Sequence, residues 1–209
     1  MDIGKCGLYL YATDPSFEIL LIAWATDEGA GFGETKCADL ASGETIPMEL
    51  LEAFQSGSVR LIAHNAAFER VCFSVHLNRY CPGQYLKPGD FLSPDSWICT
   101  MVMAASLTLP MALKDVGAVL KTSQQKDKEG ERLIKLFSMP CKPTKSNGMR
   151  TRNLPEHYPA DWEKFKYYCI QDVNTEVDIY KRLKKFPMPE LEWQHYRTNE
   201  RINDRGVRI

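Results

Sequence analysis

The apolar run from Glu18 to Thr26, Glu-Ile-Leu-Leu-Ile-Ala-Trp-Ala-Thr, ends abruptly at Asp27-Glu28-Gly29-Ala30-Gly31. A run this short without polar alternation fits a strand buried on both faces, and the acidic, glycine-rich break turns the chain into a second strand from about Phe32 to Leu40. Val59 to Ala63 is another short apolar run and leads directly into His64-Asn65-Ala66-Ala67-Phe68-Glu69-Arg70, a helix start that continues to about His76. Ser96 to Thr100 is the last strand. Strands gathered early, with helices between and after them, predict an α/β sheet covered on its faces.

Further helices are expected at Pro47 to Phe54, Met101 to Leu107, Leu113 to Leu120, Lys128 to Phe137, Ala160 to Lys185 and Glu190 to Asn203. Pro47 suits a first helical turn, where a missing amide costs least. Cys81 to Pro94 reads as a loop, and so does Ser138 to Pro159, which holds four prolines. Loops of the latter length in compact domains usually serve a function.

Composition narrows the field in three places. At 44% hydrophobic and with a formal charge of -1, the 209-residue chain is globular and not uniformly basic, so any nucleic-acid contact must come from local clusters. Its seven cysteines form no Cys-x-x-Cys pair, which predicts reduced, mostly buried thiols in a cytoplasmic protein. No apolar run reaches the ~20 residues of a membrane helix, and no signal sequence precedes the fold, so no membrane partner is expected.

Phe165, Cys169, Val173 and Val177 recur at steps of four, the mark of a helix with one face toward a core. Tyr168 and Asp172 then project from one side of it, one turn apart. That pair suits metal-assisted hydrolysis, with the carboxylate holding a cation and the hydroxyl positioning a water. A half-buried tyrosine beside a solvated aspartate is the other reading. Glu69 sits where a strand gives way to a helix, a place where α/β folds expose chemistry, although the helix dipole alone favours an acid there. Lys142, Lys145, Arg150 and Arg152 fall within eleven residues that contain no acid. Such a segment can track the phosphates of a single strand, with Tyr158 stacking on a base, or can simply be solvated. His64, Trp24, Trp97 and Trp162 are expected in the core. Glu176 either supports the metal site from behind or is a solvent-facing charge.

Asn65-x-x-Phe68-Glu69 after a strand, followed about a hundred residues later by Tyr168-x-x-x-Asp172 on a helix, resembles the second and third motifs of the DEDDy 3′→5′ exonucleases. This is the proofreading fold of family-A DNA polymerases, a branch of the ribonuclease H-like superfamily, and the chain most resembles the exonuclease region of phage and prophage polymerases of that family. The resemblance extends through Lys5-Cys6-Gly7-Leu8-Tyr9, Cys141-Lys142-Pro143-Thr144-Lys145 and Arg150-Thr151-Arg152-Asn153-Leu154-Pro155 to Glu200-Arg201-Ile202-Asn203-Asp204-Arg205-Gly206-Val207. It implies an exonuclease-like domain over 1–187 and, over 188–209, a helical connector like the start of a polymerase domain. The implied fold is α/β, a ribonuclease H-like mixed sheet flanked by helices and lacking its usual first strand. Tyr168, Asp172 and Glu69 become the catalytic residues, with Glu69 and Asp172 binding Mg²⁺ or Mn²⁺. Asn65, Phe68, Lys142, Lys145, Arg150 and Arg152 become contacts to substrate, the 3′ end of single-stranded DNA. A polymerase domain in cis or trans is the implied protein partner, and a bacterial host's cytoplasm the location of a phage-encoded chain.

Three departures from the family pattern stand out. Glu69 replaces the usual aspartate, and Cys99-Thr100-Met101 stands where Asp-Thr is common. The first motif, Asp-x-Glu, is due a few residues before Lys5, and Asp2-Ile3-Gly4 mimics only half of it. A complete site holds two cations about 3.5–4 Å apart. With Glu69 and Asp172 alone, weak or single-ion binding and a chain inactive or impaired as a nuclease are expected. The missing strand would leave a gap in the sheet, to be filled by self-association or rearrangement. The rival function is a non-catalytic DNA-binding or scaffold module associated with a polymerase. RNA trimming is a third reading, because carboxylate ligands do not distinguish the two sugars.

Overall fold

The computed structural model describes residues 3–122 and 128–206. Met1 and Asp2, with the half-motif Asp2 begins, and residues 207–209 at the end of the connector lie outside the described residues. The chain forms two compact units, one built from the described parts of Met1–Ile19, Pro47–Leu120 and Ile179–Ile209, the other from Leu20–Ile46 and Lys121–Asp178.

In the first unit, α1 (Ile3–Cys6) and α2 (Leu8–Thr13) open the chain, in a stretch where the sequence predicts no helix. They are followed within this unit by α3 (Met48–Ser56), β3 (Leu61–Ala63) and α4 (Ala66–Tyr80). Next come β4 (Trp97–Cys99), α5 (Thr100–Ser106) and α6 (Leu113–Leu120). Strand β3 pairs in parallel with β4, Leu61 opposite Trp97 and Ala63 opposite Cys99, and α4 lies in the connection, as parallel pairing requires. Ala12 packs with Val71 and Cys72 of α4, all at most 5% exposed. A second cluster joins Met103, Ala104 and Val116 to Ile179 and Leu183. α9 (Glu190–Arg205) closes the unit.

An ion cluster anchors α9. Arg70 of α4, only 1% exposed, makes two 2.8 Å bonds to the two carboxylate oxygens of Asp204 and a 3.0 Å bond to Glu200. It also donates to the Leu92 carbonyl at 2.9 Å, while the Tyr9 hydroxyl donates to Asp204 at 2.8 Å. Burial disfavours a charged guanidinium, but these partners outweigh it and hold Arg70 above its ordinary pKa.

In the second unit, β1 (Leu21–Trp24) and β2 (Lys36–Asp39) form an antiparallel hairpin with Leu21 opposite Asp39 and Ala23 opposite Cys37. The hairpin is as expected, but β1 is shorter and only Ile22 along it is buried. Two strands alone leave side chains partly uncovered at the ribbon's edges, so burial on both faces does not hold. α7 (Lys128–Ser138) and the first part of α8 (Pro159–Leu183) complete the unit, and the end of α8 passes into the first. Leu133 and Phe137 of α7 pack against Trp162 and Phe165 of α8. The Trp162 indole donates to Asp39 at 2.6 Å.

The architecture is thus mixed α/β and mostly helical, with two separate two-stranded sheets among the described residues in place of one mixed sheet. Strand periodicity reports which segments extend but not which edges meet, and here each strand pairs once. The cysteines are all free, yet only Cys72 and Cys99 are fully buried, fewer than expected. Trp97 and Trp162 are core residues, at 4% and 3% exposure, whereas Trp24 is half-buried with the Lys36 ammonium 5.8 Å from its ring centre.

Candidate active site

Helix α8 brings Tyr168 and Asp172 together as their spacing predicts. Both are half-buried, and the Tyr168 hydroxyl lies close enough to the Asp172 carboxylate to favour its charged form. Burial pushes the Asp172 pKa up, and the nearby Tyr168 hydroxyl offsets part of the shift by stabilising the anion. Asp172 is therefore not the solvated aspartate of the alternative reading. Glu176, a turn further on, is also half-buried, which removes the reading as a solvent-facing charge.

The seat of Tyr168 was not legible from its own helix. Gly130 of α7 lies directly against its ring, and a Cβ at Gly130 would overlap ring atoms Cε2, Cδ2 and Cζ. A glycine inside a helix costs about 0.5–1 kcal/mol relative to alanine. Here the missing side chain is what admits the phenol. An isolated glycine in a helical pattern is the sequence signal that could have pointed to such a contact.

In the other unit, Asn65 precedes α4 as its N-cap, with a left-handed backbone (φ 71°, ψ 50°) that asparagine tolerates better than most residues. Glu69 follows in the first turn. Its Oε2 is buried without a hydrogen-bond partner among the described residues, and burial pushes its pKa up to about 8. A carboxyl group held this way is largely protonated at neutral pH unless a cation or donor compensates it. Asn65 is exposed, as a substrate contact would be. Phe68 is half-buried and packs on the Ala12–Val71–Cys72 cluster, so much of its ring serves the core.

His64 sits at the end of β3, as a bonded core-edge histidine. Its Nε2 lies 2.7 Å from the Met111 carbonyl, which can only accept, so Nε2 carries the proton and Nδ1 accepts from the Thr100 hydroxyl at 2.9 Å. Burial lowers its pKa and favours this neutral form. Cys99 is 1% exposed, and burial raises its thiol pKa.

The basic segment is mostly irregular, with 3-10 turns at Lys145–Asn147 and Pro155–His157. Lys142 and Lys145 are exposed, whereas Arg150 and Arg152 are half-buried. Arg150 bonds to Asn153 at 3.0 Å and to the Tyr158 hydroxyl at 3.1 Å, with its guanidinium 5.3 Å from the Tyr158 ring centre. Tyr158, read as a base-stacking residue, already carries Arg150 over one face. Asn153 is buried and donates to the Leu136 carbonyl at 2.9 Å, tying this segment to α7.

The structure therefore joins Tyr168 to Asp172 and Arg150 to Tyr158, and it keeps Asn65, Phe68 and Glu69 on one helix start. Glu69 and Asp172 belong to different units. Among the described residues, no group of three or more His, Cys, Asp or Glu side chains could hold a metal ion. Each carboxylate fits a divalent cation in kind, since Glu69 offers an unpartnered buried oxygen. In number, the two fall short of the four that the family resemblance implies.

These features define a mixed α/β chain with a hydroxyl–carboxylate pair on its long helix and no helix, among the described residues, long and apolar enough to cross a membrane. It is homologous over all 209 residues, at 48% identity, to the DNA polymerase of Bacillus phage SP02, and spans 30% of that polymerase's length. No family model matches the chain. No solved structure matches it either.

Proposed function

We propose that this chain is a 3′→5′ exonuclease-type segment of a phage DNA polymerase, with a ribonuclease H-like fold. The observation that carries the reading is the placement of Tyr168 beside Asp172 on adjacent turns of α8, in a chain homologous throughout to part of a polymerase. The substrate is a 3′ end of single-stranded DNA, and a divalent cation, Mg²⁺ or Mn²⁺, would supply charge neutralisation at the phosphate and activate water. In this reading Asp172 and Glu69 are metal ligands and Tyr168 orients the attacking water. Asn65 and the exposed part of Phe68 position the terminal nucleotide, and Lys142, Lys145, Arg150 and Arg152 follow the strand behind it. Residues 1–187 form the exonuclease-like part and 188–209 the connector toward a polymerase domain.

A second reading, a non-catalytic DNA-binding or scaffold module working with a polymerase, is favoured by two observations: both carboxylates have raised pKa values, and no three-ligand metal cluster accompanies them among the described residues.

One assay separates the readings. 5′-labelled single-stranded DNA is incubated with Mn²⁺ and this chain, its Asp172→Ala variant, or a version extended upstream of Met1. A 3′→5′ ladder that disappears on Asp172→Ala supports the exonuclease, whether the chain itself or only the extended version makes it. Silence from both, with retained binding of the DNA, moves the assignment to the binding module.

A further inference from the structure

We infer that Cys37 and Cys169 form a redox-sensitive pair that closes to a disulfide under mild peroxide and fastens the Tyr168 turn of α8 to the β1–β2 hairpin. The inference concerns the second unit alone and holds whichever function the chain serves.

The geometry comes from three places. Asp39, two residues beyond Cys37 and on the same face of β2, accepts the Trp162 indole at 2.6 Å, and Trp162 lies two turns before Cys169 on the same side of α8. On the other side of Cys37, the Thr35 hydroxyl bonds to Asn174 at 2.6 Å. Strand and helix are thus fixed to each other both before and after the cysteines. Between these fixed points, the Cys169 thiol lies beside two residues of the hairpin, Cys37 and Ala23. Ala23 is the cross-strand partner of Cys37, so both neighbours place the thiol over one rung of the ladder.

The chemistry of the pair is asymmetric. The neighbouring Cys169 thiol, with Lys166 nearby, holds Cys37 below the ordinary thiol pKa, whereas proximity to Cys37 and burial push Cys169 up. Thiolates, not thiols, are the nucleophiles, so Cys37 reacts first. Both residues are half-buried, which leaves a small oxidant a way in.

The steps balance. The Cys37 thiolate attacks one oxygen of hydrogen peroxide, an S–O bond forms, the O–O bond breaks, and the departing hydroxide takes a proton to become water. Cys169, giving up its proton, then attacks the Cys37 sulfenic acid, and an S–S bond replaces the S–O bond as a second water leaves. Two thiols are oxidised by two electrons and one peroxide is reduced to two waters. A thiol reductant reverses the result by exchange.

The test uses the folded chain exposed to a small excess of hydrogen peroxide, followed by blocking of remaining thiols and peptide mapping without reductant. The expected result is loss of two hydrogens in the intact mass, one cross-linked species joining the Cys37 and Cys169 peptides, and a higher melting temperature, all reversed by dithiothreitol. In Cys169→Ser, Cys37 should instead be trapped by dimedone as sulfenic acid, and in Cys37→Ser the cross-link should vanish with Cys169 left unmodified. Thiols that stay reduced while the urea-unfolded chain oxidises would overturn the inference. So would a folded chain whose Cys37 links to any cysteine other than Cys169. The wild-type cross-link map decides without reference to either variant's stability.

Discussion

The ring of Tyr168 occupies the space that a side chain at Gly130 would need. Helix α7 reaches that position in register with its core contacts, because Gly130, Leu133 and Phe137 lie on one face and meet Tyr168, Phe165 and Trp162 in reverse chain order. The residue proposed to orient water is therefore seated by the absence of an atom on a different helix.

Gly130→Ala should be destabilising while Tyr168 is present. The overlap costs about 1–3 kcal/mol as overpacking, against about 0.5–1 kcal/mol gained from helix propensity. With Tyr168→Ala as the background, the clash disappears and Gly130→Ala should become stabilising. A double-mutant cycle by urea denaturation measures this, and destabilisation in both backgrounds would show that the ring is not the obstacle.

Arg70→Ala should cost about 3–5 kcal/mol, because it leaves the Glu200 and Asp204 carboxylates without their shared cation in a buried setting. Tyr9→Phe, which removes one neutral donor to Asp204, should cost about 1 kcal/mol. Urea midpoints of the two variants supply the comparison, and near-equal losses would mean that the ion cluster contributes little beyond its packing.

The buried Glu69 carboxyl predicts a pH dependence of definite sign. Its pKa is raised to about 8 in the folded chain against 4.5 for an ordinary glutamate, so between those values the folded state binds more protons than the unfolded one. Stability from this group is present at low pH and is lost as pH rises toward 8. Glu69→Gln removes the ionisation, and its stability relative to the parent should rise from pH 5 and level off above about pH 8 in urea titrations at each pH. A gap that stays constant would mean that Glu69 is ionised throughout, as it would be in the presence of a compensating cation.

For the basic segment, exposure separates the four cations. Lys142 and Lys145 are exposed, and Lys142→Ala with Lys145→Ala should lower the slope of log K against log salt for single-stranded DNA by about 1.4, at about 0.7 per phosphate contact. Arg150 bonds within the loop, so Arg150→Ala should also loosen the segment and raise its protease sensitivity. An unchanged slope in the double lysine variant would leave the loop as a solvated surface.

The sequence was most informative where structure depends on near neighbours. The α8 periodicity correctly placed Tyr168 over Asp172, since residues four apart on a helix must meet, and the apolar run before a glycine-rich break correctly became the β1–β2 hairpin. The strand-to-helix change at Asn65 and the Leu113–Leu120 helix were legible for the same reason. The limits appeared at the chain's start, where α1 and α2 carry too few residues for a period to show.

The tertiary structure decided what depends on which surfaces meet. No period links Arg70 to Asp204, Cys37 to Cys169, or Gly130 to Tyr168, because contacts between distant segments follow from packing and not from spacing along the chain. The two separate sheets belong to the same category, since backbone amides and carbonyls are alike in every strand and only the assembled fold selects their partners. The ionisation of Glu69 does too: the residue type supplies a carboxyl group, but its desolvation, and hence its proton at neutral pH, comes from what is packed around it.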